Sequence, residues 1–173
     1  MGRGKLVILT AAMLGAAMNA MAAVSEGDLQ IAARALSFMT NAPVGTVHVG
    51  IVFNPANPQS TADAAQLAQL MAGGLRVGNV TLQPIQVPID QVGGAQVGLF
   101  FLTEGTGPAE RLSEVANLKK LPCVSFDLAQ VRSGACAIGI HSGPRVEILV
   151  NRAAAESSGV SFSTAFRMLI TEF

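Results

Sequence analysis

Two cysteines, two histidines and a Gly-Thr-Gly turn are the residues whose types and spacing could do chemistry in this 173-residue chain. Cys123 and Cys136 are the only cysteines, 13 positions apart, and they lack the C-x-x-C spacing of a redox-active pair. Two histidines cannot complete a common zinc site, and neither stands at a ligand spacing from a cysteine or carboxylate. His48 lies inside an apolar run and reads as a hydrogen-bonded structural histidine, whereas His141 sits at a turn and reads as solvated. Ser125 follows an apolar run but lacks the G-x-S-x-G context of a nucleophile elbow. Gly105-Thr106-Gly107 echoes a dinucleotide loop, yet Glu110 stands where the third glycine belongs, and its charge would repel a pyrophosphate. No phosphate-cradling Walker loop exists, and the carboxylates are scattered rather than paired. These residues predict no enzyme, no cofactor and no metal.

The elements that must position these residues follow from hydrophobic periodicity. Residues 28–39 place Leu29, Ala32, Ala33, Leu36 and Met39 on one helical stripe, ended by Asn41-Ala42-Pro43. Val47 to Phe53 is an apolar strand stopped by the turn NPANP. Ser60 with Asp63 resembles an N-terminal cap for a helix running through Met71 to Gly73-Gly74. Val80 to Val87 is strand-like, with Pro84 and Pro88 marking an edge position. Val97 to Leu102 reads as a strand covered on both faces. A helix follows Pro108, with Glu110 in its first turn and Lys119-Lys120 in its last, matching the helix dipole. Pro122 to Phe126 is a strand, and Ala135–Ile140 with Arg145–Val150 form a hairpin around His141–Pro144. Asn151 caps a short Ala-rich helix ending at Gly159. Phe162, Ala165, Phe166, Leu169, Ile170 and Phe173 then recur at helical spacing, predicting a last amphipathic helix that docks on the sheet. Strands alternating with helices, with a late antiparallel pair, predict an α/β single domain: a mixed sheet of about five to six strands with helices on both faces.

Composition narrows the setting. Half of the residues are hydrophobic, 13% are charged, and mean hydropathy is +0.47. Much of that excess lies in residues 1–22, where Arg3 and Lys5 precede an apolar run from Leu6 to Met18 and then Ala20-Met21-Ala22. That order predicts a signal peptide cleaved between Ala22 and Ala23. Loss of Arg3 and Lys5 with it leaves eleven acidic against nine basic residues in 23–173. A mildly acidic domain with no Trp or Tyr lacks the basic field and stacking surface that nucleic acid needs. The expected location is the periplasm. In an oxidising compartment an even cysteine pair invites a disulfide, worth roughly 3 kcal/mol for a loop of this size; two buried thiols are the alternative.

Residues 144–170, PRVEILVNRAAAESSGVSFSTAFRMLI, resemble the closing signature of the YfiR-like family of periplasmic proteins. The motif places are held by Glu147, Ile148, Asn151, Gly159 and Ser163, with Ala153, Ala154, Met168 and Leu169 beside them. Upstream, IAARALSF at 31–38 is similar to the family's opening helix, although the family's Trp-Pro is Ala42-Pro43 here and its mid-strand cysteine is absent from Gln96–Leu99. The resemblance implies a non-enzymatic regulator acting by protein–protein contact. Its partner would be the periplasmic domain of an inner-membrane signalling protein, here a diguanylate cyclase that it represses in cyclic-di-GMP signalling. It also implies homodimers and a disulfide between Cys123 and Cys136, joining the start of one strand to its neighbour.

A second resemblance has a different consequence. VGIVFNPANPQSTADAAQL, residues 49–67, is similar to the opening strand, loop and helix of transporter substrate-binding proteins. Such proteins close two α/β lobes on a ligand, and this length suits one lobe, given about 100–150 residues per domain. The alternative function is therefore a small-molecule binder resembling one lobe. The loops Asn54–Ser60 and His141–Pro144 are the candidate contact surfaces.

Overall fold

The computed structural model describes residues 24–142 and 144–173. The expected leader and its Ala22-Ala23 junction lie outside the described residues, as does Gly143. Among the described residues, no helix is long and apolar enough to cross a membrane.

The elements run α1 (Glu26–Ser37), β1 (Gly45–Phe53), α2 (Pro58–Leu70), β2 (Leu75–Val77), β3 (Val80–Pro88), a 3-10 turn (Ile89–Gly94) and β4 (Leu99–Leu102). Then come α3 (Glu110–Lys119), β5 (Cys123–Ser125), α4 (Leu128–Arg132), β6 (Ile138–Ser142), β7 (Val146–Val150), α5 (Arg152–Ser157), α6 (Thr164–Arg167) and β8 (Thr171–Glu172). All strands share one sheet in the order β2-β3-β1-β4-β5-β6-β7-β8. The central five are parallel, while β2 and β7 run antiparallel to β3 and β6. The fold is thus the expected α/β mixed sheet, with eight strands; the two additions, β2 and β8, are only three and two residues long.

Each face has its own core. Side chains alternate along a strand, so Val49 and Ile51 of β1 and Leu99 and Phe101 of β4 meet Leu29, Ala33 and Leu36 of α1 and Leu67 of α2. Val52, Phe100 and Leu102 point the other way, toward Val92, Leu112 and Ala116. Fully burying one such Leu or Phe contributes about 1.5–3 kcal/mol. Gly139 lets α4 lie on β6, since a Cβ there would come within 2.8 Å of Leu128 and Val131 side chains.

Local signals explain most helix ends. Ser25 caps α1 in a reciprocal box: its hydroxyl accepts from the Asp28 amide at 3.2 Å, and its own amide donates to Asp28 Oδ2 at 2.7 Å. The α2 cap is Asn57, with Pro58 just inside the helix, and not Ser60 as the sequence suggested. Asn151 caps α5 as expected, accepting from the Ala154 amide at 3.1 Å.

Two further expectations fail. His48 is exposed rather than buried, because the crossover from β3 to β4 carries only the short 3-10 turn and leaves the amino half of β1 uncovered on that face. The last helix stops at Arg167: Phe162 and Phe166 are buried, but Ala165, Leu169 and Phe173 are exposed. Residues beyond it instead pair, Thr171 with Leu149 and Glu172 with Val150.

Candidate functional site

In the strand order, β1 sends its chain to α2 on one face while β4 sends its chain to α3 on the other. Loops that leave adjacent parallel strands toward opposite faces open a crevice at the strands' carboxyl ends, the usual ligand position in doubly wound sheets. Here that switch point lies between the loops Asn54–Asn57, after β1, and Thr103–Ala109, after β4.

Three buried hydroxyls form its floor. Ser60 Oγ lies 2.7 Å from Thr103 Oγ1, Thr103 Oγ1 lies 3.1 Å from Thr106 Oγ1, and Thr103 donates to the Val52 carbonyl at 2.9 Å. The Asn54 amide donates to Ser60 Oγ at 2.9 Å. Asn54 and Asn57 side chains reach across the crevice to the Thr106 and Gly105 carbonyls, at 3.2 and 2.8 Å. Gly105 is required there: its φ is +66°, and a Cβ would meet Asn57 Nδ2 at 2.7 Å. From the next loop, Gln130 Nε2 donates to the Thr103 carbonyl at 2.9 Å, and Ser125 Oγ donates to Gln130 Oε1 at 2.5 Å. Among the described residues, no buried side-chain polar atom lacks a partner. The floor is therefore rigid and prearranged.

Three carboxylates lie near one another on the flanking segments: Glu104, Asp63 and Asp127. Burial, then the nearby Asp127 and Asp63 charges, push the half-buried Glu104 carboxyl above its ordinary range. Burial also raises Asp63, against the opposing hydrogen bond from Gln59. Asp127 accepts from the Ala129 amide at 2.8 Å and caps α4. The side chains assembled here include no Lys or Arg, so the crevice suits neutral or cationic groups.

The structure separates the residues singled out from sequence. Cys123 and Cys136 form a disulfide with Cα atoms 4.8 Å apart, both buried, joining β5 to the segment before β6. Glu147 is exposed on β7 and Ile148 packs against the first core. Asn151 also donates to the Val131 carbonyl at 3.0 Å, Gly159 ends α5 at φ +72°, and Ser163 precedes α6 without a side-chain cap bond. Because β7 runs antiparallel, Asn151 lies at the opposite edge of the sheet from the crevice. Of the two candidate loops, Asn54–Ser60 forms one wall of the crevice. His141 is exposed two strands beyond β4, and neighbouring Ser142 donates to Asp28 of α1.

Sequence reasoning picked out the loop carrying Asn54 and Asn57 but missed its partners Thr103 and Glu104 and the supporting Gln130. The usable signal was the Asn-Pro-x-Asn-Pro turn facing a Thr-x-x-Thr turn at two apolar strand ends.

No protein-family model matches the chain, and no curated protein does. Solved structures share its fold. A Streptococcus pneumonia ABC domain in complex with L-Trp superposes at TM-score 0.61 with 11% identity, covering 84% of this chain and 61% of that one. A conserved domain protein from Vibrio cholerae O1 biovar El Tor superposes at TM-score 0.59 with 14% identity, covering 85% and 59%. The chain thus spans about three fifths of the length of these two structures.

Proposed function

We propose that this chain is a non-enzymatic small-molecule-binding domain, with the ligand seated in the crevice between Asn54–Asn57 and Thr103–Thr106. The observation that carries this reading is the buried Ser60–Thr103–Thr106 hydroxyl network at the point where the strand order reverses. The buried hydroxyls hold the two loops in place, the loop backbone fixes the ligand's orientation, and Glu104 with Asp127 disfavours ligands of net negative charge. The test is thermal melting of the full chain against a panel of L-amino acids and their amides. L-Trp comes first, since a solved neighbour holds it. Binding to the folded state alone raises the melting temperature in proportion to ln(1 + [L]/Kd). The reading expects the amides to shift the melt more than the free acids, and Glu104→Gln to erase that preference. Unmoved melts across the panel at millimolar ligand would refute it.

A second reading, regulation by protein contact in the periplasm, is favoured by one feature. Met168 and Leu169, within the YfiR-like segment, are 84% and 76% exposed, and Phe173 at the end of β8 is 45% exposed. Exposed apolar side chains grouped near a sheet edge suit a protein partner or a second copy. A photo-crosslinker at position 169 distinguishes these: a product with the periplasmic domain of a diguanylate cyclase supports repression, a product of twice the chain mass supports a homodimer, and no product removes the reading.

A further inference from the structure

The Asn-Pro-x-Asn-Pro turn carries two asparagines with the same two-ended task. The Oδ1 of each accepts from its own loop: Asn54 from the Ala56 amide at 3.0 Å, Asn57 from the Gln59 and Ser60 amides at 2.9 and 3.3 Å. The Nδ2 of each donates to the facing loop, Asn54 to the Thr106 carbonyl at 3.2 Å and Asn57 to the Gly105 carbonyl at 2.8 Å. These partners fix which way each amide points, since a backbone N–H only donates and a carbonyl only accepts. Two consecutive carbonyls after β4 are thus held by two side chains after β1.

Asparagine suits both roles where its relatives do not. Aspartate would accept from its own loop but has no donor for the facing carbonyl, and serine is too short to reach it. The proline after each asparagine sets the backbone. Pro58 keeps Asn57 in the extended conformation that a helix cap needs, with φ −110° and ψ 112°. On the facing loop Gly105 has no Cβ to obstruct Asn57 Nδ2.

The bonds between the two loops differ in depth. Ser60, Thr103 and Thr106 are buried, so their hydroxyl bonds have no water to replace them and form a permanent floor. Gly105 is exposed, and the Asn57 bond to it lies at the rim. A rim bond between neutral groups exchanges for another donor at small net cost, a factor of about five in an equilibrium constant. What the asparagines present to Gly105 and Thr106 is an NH₂ group. An incoming amide or ammonium group makes the same bonds to the same carbonyls, whereas a carboxylate brings them no donor.

We propose that Asn54 and Asn57 form a clasp that holds the crevice shut and opens when a ligand N–H donor takes over the Gly105 and Thr106 carbonyls. The inference rests on the small-molecule reading above and adds the gate that controls it. Two measurements on the full chain compare the parent with Asn57→Ser, which keeps a good α2 cap and loses the donor. Amide hydrogen exchange followed by NMR needs no ligand. Asn54 and Ala56, whose amides do not bond to the Asn57 side chain, should exchange about fivefold faster in the variant, while Ile51 and Phe101 in the sheet keep the parent rates. Asn57→Asp, which also caps but cannot donate, should behave alike. Titration with L-tryptophanamide should then give about fivefold tighter apparent affinity in Asn57→Ser, because a larger fraction of molecules is open. Unchanged exchange at Asn54 and Ala56, or faster exchange that extends to Ile51 and Phe101, overturns the clasp whatever binds. Equal or weaker binding to the variant also overturns it, since Asn57 would then not compete with the ligand. Faster loop exchange with no L-tryptophanamide binding to either protein refutes the small-molecule reading and the gate with it, leaving Asn57 a brace. The two failures therefore look different.

Discussion

The side-chain amide of Gln130 donates to the Thr103 carbonyl at 2.9 Å, tying α4 to the end of β4 across 27 residues of chain. Thr103 in turn holds Ser60 and Thr106, so the crevice floor depends on a residue that has no place in the crevice itself. Gln130→Ala leaves the Ser125 hydroxyl and the Thr103 carbonyl each short of one partner. The expected cost is about 1–2 kcal/mol in urea unfolding. With Ser125→Ala added, the total should fall short of the sum of the single costs, because both remove the same 2.5 Å bond. Additive costs would show that the bond does not operate as a unit.

The Cys123–Cys136 disulfide closes the segment that carries Ser125, Asp127 and Gln130. In the chain-entropy account it stabilises by restricting the unfolded chain. Cys123→Ser is therefore expected to lower stability by about 2–4 kcal/mol in the oxidised protein. Under reductant the parent and the variant should have similar denaturation midpoints. An unchanged parent midpoint on adding reductant would remove the bond from the stability account.

Much of this fold is legible in the sequence, because six of its eight strands lie in apolar or alternating runs and its longer helices carry apolar stripes. β2 and β8 are not, since LRV and TE hold no pattern of their own and become strands only by pairing with β3 and β7. Ser60 was misread as a cap because capping chemistry is local, while its hydroxyl is claimed by Thr103, 43 residues away. His48 was misread because an apolar run predicts a covered strand, and whether a crossover supplies the cover is a tertiary fact. The crevice is invisible for the same reason: it exists only once the strand order places β1 beside β4.

Asp28 joins the start of α1 to the end of β6. Burial alone would push its carboxyl up, but donation from the Ser142 and Ser25 hydroxyls and the Ser25 amide, with His141 nearby, holds it below the ordinary range. A carboxyl whose folded pKa is depressed adds stability above its unfolded pKa, about 3.9, and loses it as pH falls through the folded value. Asp28→Asn should then cost about 1–2 kcal/mol at pH 7, through the cap and the Ser142 bond. The gap from the parent should narrow below about pH 4. A gap that stays constant down to pH 2 would show that the charge contributes nothing.

The closing segment separates periodicity from packing. Phe166 is buried, stacks on Phe38 with ring centroids 4.6 Å apart, and meets Phe162 at 5.2 Å. Leu169 shares its helical spacing but is 76% exposed, because the chain leaves α6 to place β8 beside β7. Phe166→Ala removes a ring from the first core and should cost about 3–5 kcal/mol. Leu169→Ala should stay within about 0.5 kcal/mol of the parent. Had residues 162–173 formed one docked helix, both truncations would be severe, so the pair of unfolding curves discriminates between the two arrangements. Equal and large costs would mean that Leu169 is covered in solution, either by a helix longer than α6 or by a second chain. Dependence of the Leu169→Ala cost on protein concentration would identify the second chain.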